Sequence, residues 1–127
     1  MSHIEKCLMD MGCTSIVKDC QDKRVVGITF CLLVNGHTIA FKMPANIDKV
    51  FNLMWNKIKN KSNASREKYM KQAERTAWKN ISEWVHIQCT LVMMEQVEPL
   101  QIFMPYMLLK SGETAFDSMK NNPKLLG

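Results

Sequence analysis

Apolar positions recur at helical spacing at the start of the chain, where Ile4, Cys7, Leu8 and Met11 share one face. Ser2 and Glu5 stand at the spacing of a capping box, and Gly12 offers the left-handed backbone that ends a helix. A short helix over 1–12 is predicted. The period then shortens to two. "TSIVKDC", "VVGITFCLLV" and "HTIAFKM" are rich in β-branched residues; polar "QDKR" separates the first two, and Asn35-Gly36, a pair favoured in type I′ turns, separates the last two. These segments predict a three-stranded antiparallel meander over 14–43. Ile39, Phe41 and Met43 alternate with Thr38, Ala40 and Lys42, giving one buried and one wet face. The almost wholly apolar middle strand asks for helices over one face and leaves room for a partner over the other.

Beyond Pro44, Asn46 is the expected N-cap of a helix over 46–60 whose apolar face is Ile47, Val50, Phe51, Met54, Trp55 and Ile58. "KSNAS" is a loop. From Arg66 the pattern stays helical, with Met70, Ala73, Ala77, Ile81, Trp84, Gln88, Leu91 and Met94 on one stripe. A helix over 65–98 is predicted, and even about thirty residues of helix span on the order of 45 Å, more than the core of so small a domain needs. The excess predicts a projecting end or a homodimer through the long helix. Pro99 is expected to stop it, "LQIFMPYMLL" to form a kinked return over 99–110, and 111–127 to be a surface-packed tail. The fold class is therefore α+β, one domain over 1–127: a short N-terminal helix, a β-meander, two helices of which the second is very long, and a short kinked C-terminal helix.

Composition agrees with a folded domain: of 127 residues, 46% are hydrophobic and 23% charged, unlike a disordered chain. Apolar runs such as "ITFCLLV" fall far short of the roughly 20 residues of a membrane span, and "MSHIEKCLMDMG" lacks the pattern of a secretory signal. A cytosolic protein without a membrane partner is expected. The five cysteines form an odd set with no CxxC pair, so reduced and mostly buried thiols are expected.

Residues suited to catalysis are sparse. Cys89 and His86 lie three apart on the long helix, but no glycine-rich turn offers an oxyanion hole. Glu83 and His86 form a single ExxH, whereas di-iron bundles use that motif twice with further glutamates. None of the five glycines falls in a nucleotide-binding fingerprint. No catalytic residue, cofactor or metal site is predicted.

Charge changes the picture. The formal net charge is +5, yet between residues 55 and 80 eight basic residues face two acidic ones, while the rest of the chain holds nine basic and ten acidic. Lys57, Lys59, Lys61, Arg66, Lys68, Lys71, Arg75 and Lys79 are interleaved with Trp55, Tyr69 and Trp78. Cations that neutralise phosphates beside stacking rings are the means by which a single-strand binder holds its ligand, and these cations with Trp78 form the candidate anionic-partner site. Trp55 and Trp84 sit on apolar stripes and are read as core. A second candidate surface is for protein: Met93 and Met94 at the end of the long helix, with Phe103, Met104 and Tyr106 in the apolar return.

Three stretches, "KMPANIDKVF", "AWKNISEWV" and "FMPYML", resemble a family of small uncharacterised proteins encoded by phages and prophages. The resemblance brings no established reaction. It implies a non-enzymatic binding protein in the host bacterial cytosol, first an inhibitor or adaptor that counters host defence by stoichiometric binding to a host protein or nucleoprotein. The alternative is a phage early protein that binds DNA or RNA directly through residues 57–79.

Overall fold

In the computed structural model, which describes residues 2–61 and 64–126, helix α1 (Ser2–Asp10) leads into strands β1 (Ser15–Gln21), β2 (Arg24–Val34) and β3 (His37–Pro44). Helices α2 (Ile47–Asn56), α3 (Arg66–Met93), α4 (Pro99–Phe103) and α5 (Ala115–Asn121) follow, with 3-10 turns at Met104–Tyr106 and Pro123–Leu126. The fold is α+β.

The sheet is an antiparallel meander in the order β1-β2-β3. Phe30 pairs with Ile16 on one side and Phe41 on the other, which puts all three on one face. Both hairpins are two-residue turns with positive φ at both central positions: Asn35 and Gly36 as expected, and also Asp22 and Lys23, which the sequence offered only as a polar stretch. Ile28, Phe30, Leu32, Phe41 and Met43 are buried on the inner face. On the outer face Val17 and Leu33 stay more than half exposed.

Helix α1 ends as anticipated, with Gly12 at φ 105° and the bonds Gly12 N to Met9 O and Cys13 N to Leu8 O that define a Schellman close. Its expected capping box is replaced: Ser2 already lies inside the helix, and Glu5 reaches across to Lys18 on β1, 3.1 Å away. Asn46 precedes α2 but adopts φ 56° and makes no side-chain cap bond. That helix stops at Asn56, four residues before the expected bound, so Lys57 caps its end and Lys59 lies beyond it rather than in its last turn.

Helix α3 starts where Ser65 accepts a hydrogen bond from Lys68 N (3.3 Å). It ends at Met93, five residues short of the expected bound, because Glu95 turns left-handed (φ 60°) and Gln96 N closes onto Leu91 O. Pro99 therefore does not stop the long helix; it occupies the first turn of α4, where a missing amide hydrogen costs nothing.

The buried positions of α3 are Ala73, Ala77, Val85 and Cys89. With Ile81 they form a row at four-residue spacing, which winds about the helix by about 40° per step because a turn holds 3.6 residues. The first half thus faces α2, where Ala73 and Ala77 pack with Ile47 and Phe51, and the second half faces α1 and the sheet, where Val85 and Cys89 join Ile4, Leu8 and Phe30. Both halves are used within one chain, so the length of α3 does not require a second subunit. Phe103 plugs the sheet end of the core, edge-on to Phe30 at 5.2 Å and to Trp84 at 5.8 Å between centroids. The return then runs along β3, with Leu108 N donating to Ala40 O (2.9 Å), and Ala115 N of the tail donates to Met107 O (2.8 Å).

Candidate nucleic-acid interface

Lys68, Lys71, Arg75 and Lys79 are exposed and lie at steps of three, four and four residues, one stripe of α3 about 16 Å long. Lys57, Lys59 and Lys61, also exposed, precede it in the α2–α3 connection. What makes the stripe unusual is the fate of its two carboxylates. Arg24, at the start of β2, extends to α3 and takes both: its Nη2 lies 2.8 Å from Glu67 Oε1 and its Nε 3.6 Å from Glu74 Oε2. Among the described residues, no carboxylate pairs with the seven cations named above. Their charge is left facing solvent.

Arg66 is placed differently. Its guanidinium carbon sits 4.8 Å from the Phe51 ring centroid and 5.1 Å from that of Trp55, capping an aromatic stack that Tyr69 joins edge-on at 6.0 Å. Arg66 is thus engaged in holding α2 to α3, and Trp55 is half-buried beneath it rather than enclosed in the core. Trp78 serves both core and surface. Its Nε1 donates to Val25 O (3.1 Å) and its ring packs against both apolar clusters, yet one part of it lines a groove of about 400 Å³ with Lys18, Lys71, Glu74 and Arg75. Fixed by that hydrogen bond, the ring has no freedom to swing outward onto a base. Lys18, on β1, is a cation of this groove that the sequence reading missed, because only the pairing of β1 with β2 brings it beside α3. It shares its charge with Glu5.

The proposed protein surface divides. Met93 and Met94 are exposed at the end of α3, and Met104 is 43% exposed. Phe103 is fully buried and cannot touch a partner: the turn from α4 into the 3-10 segment aims it at the sheet. Tyr106 is half-buried against Trp84, 6.1 Å between centroids. Instead, Met104 joins Phe116 and Met119 of α5 around an apolar groove of about 530 Å³, so half of that surface comes from the tail.

Cys89 and His86 do not act as a pair. Cys89 directs its Sγ at Met11 Sδ (3.9 Å), whereas His86 turns Nδ1 towards Cys7. Burial pushes the Cys89 thiol up to about 12, with Cys7 and Asp10 adding to the shift, which keeps it protonated and a poor nucleophile. Among the described residues no helix is long and apolar enough to cross a membrane. In comparisons with protein-family models, curated proteins and solved structures nothing matches this chain.

Proposed function

We propose that the chain is a binding protein that holds a single-stranded nucleic acid along the basic face of α3. The observation that carries this is the capture of Glu67 and Glu74 by Arg24, which leaves Lys68, Lys71, Arg75 and Lys79 as a continuous uncompensated stripe beside the Trp78 groove. Such a stripe suits a phosphate backbone, whose contacts are electrostatic and indifferent to sequence. The alternative drawn from the phage resemblance thereby moves ahead of the inhibitor, because Phe103, the central ring of the apolar return that an inhibitor was to use, is buried and Tyr106 is half-buried. A labelled oligonucleotide titrated with the protein tests it by fluorescence anisotropy: single strands should bind, and binding should weaken steeply as salt rises.

A second reading has one observation in its favour. The groove between Met104, Phe116 and Met119 would suit a host protein bound by an inhibitor or adaptor. Affinity capture from host lysate with and without nuclease separates the two. A single host protein retained after nuclease, and lost in a Phe116→Ser variant, would favour the inhibitor.

A further inference from the structure

We infer that His3, Cys7 and His86 form a binding site for a zinc-class divalent cation at the seam between α1 and α3. Helix α1 presents His3 and Cys7 one turn apart on a single face, and α3 brings His86 against them. Cys7 Sγ lies 3.7 Å from His3 Nε2 and 3.9 Å from His86 Nδ1, and all three ligand atoms fall within 4.8 Å of one another. A tetrahedral zinc ion with one thiolate at about 2.3 Å and imidazoles at about 2.0–2.1 Å holds its sulfur and nitrogens roughly 3.6 Å apart. Both sulfur–nitrogen distances are already within a few tenths of an ångström of that separation.

Hydrogen bonds within the cluster cannot join all three atoms at once. A thiol has one hydrogen and can donate it to one imidazole, so the second nitrogen aimed at the sulfur meets only a weak acceptor. The two imidazoles are themselves close, 5.1 Å between centroids and tilted by 32°. One cation uses all three lone pairs at once. Cys7 is the fixed ligand, 8% exposed and held by Ile4 and Leu8 on either side in the core, while His3 and His86 are exposed and free to close by rotation. Their exposure leaves a fourth position for water. Binding converts the Cys7 thiol to thiolate and releases its proton to solvent. The donor set, one sulfur and two imidazole nitrogens without a carboxylate, selects against magnesium and calcium.

The site clips α1 to α3, a role independent of the basic face. The local sequence carries two of the three ligands, at the His3 and Cys7 spacing, but the third is 79 positions further on than Cys7.

The test is a titration of the tag-free full chain, kept reduced, with Co²⁺ as the spectroscopic stand-in and Zn²⁺ as competitor. One equivalent should produce the intense visible bands of tetrahedral cobalt and a near-ultraviolet thiolate charge-transfer band, both bleached by Zn²⁺. His3→Gln and His86→Gln, at exposed positions that leave the fold intact, should each weaken binding at least tenfold. Zn²⁺ should raise the melting temperature of the parent chain and not that of these variants. Absence of the cobalt bands overturns the site. So does a spectrum that survives both histidine substitutions but vanishes in Cys20→Ser, which would trace it to the exposed thiol of Cys20.

Discussion

Replacing Lys71 and Arg75 together by glutamine removes the two cations of the α3 stripe that also line the Trp78 groove. Each phosphate neutralised on a single strand contributes about −0.7 to the slope of log affinity against log salt. If Lys68, Lys71, Arg75 and Lys79 each meet one phosphate, the parent slope is about −2.8, and a rise from about 50 to about 200 mM salt weakens binding roughly 50-fold. The double variant keeps two of these contacts, so its slope falls to about −1.4 and the same rise costs only roughly sevenfold. Both side chains are exposed and free of carboxylate partners, so the melting temperature should stay that of the parent. The assay is anisotropy of a labelled oligothymidine across that salt range, with Lys110→Gln, a cation remote from α3 in sequence, as the control expected to leave the slope unchanged. Parallel salt plots for parent and double variant would refute the assignment of the stripe. Failure of the parent to bind at low salt would refute the nucleic-acid reading itself.

Three further outcomes follow from the same geometry. Phe103→Ala should destabilise the fold by about 3–5 kcal/mol, the range for emptying an enclosed aromatic site, while Met104→Ser at an exposed position stays near parental stability; chemical denaturation distinguishes them. Arg24→Gln should cost at most about 1 kcal/mol, since its pairs with Glu67 and Glu74 are partly exposed, yet it returns two carboxylates to the basic face and should weaken oligonucleotide binding at low salt more than it changes stability. The Cys89 thiol is raised from 9.0 to about 12 by burial, so the stability tied to its neutral form is complete below pH 9 and declines from there towards about 12; Cys89→Ala should flatten that alkaline decline in denaturation midpoints.

Local chemistry made most of the architecture legible. Gly12 and Asn35-Gly36 mark turns whose positive φ any reader of the sequence can anticipate, and the alternation along β3 gives its buried face directly. Two of the misses depend on partners distant in sequence, and two on local backbone detail. The stripe predicted on α3 included Ala73 and Ala77 but not Val85 or Cys89; the first pair meets α2 and the second α1, so the buried row winds. Glu95 ends that helix in a conformation that favours glycine, and no residue type there announces it. The basic stripe was visible as composition, but its freedom from carboxylates depends on Arg24, 43 positions before Glu67. Phe103 was assigned to a surface because apolar "IFMPYML" has no period long enough to tell an inward ring from an outward one.

The way α3 is shared has a consequence for how the molecule opens. Trp78 and Ile81 pack against both apolar clusters, so neither cluster can lose its contacts without disturbing the middle of the same helix. The domain is therefore built to lose its structure in one step, with slow amide exchange along the centre of α3 tracking global unfolding. Short α5, with only Ala115 buried, is the segment placed to exchange early and independently of the rest.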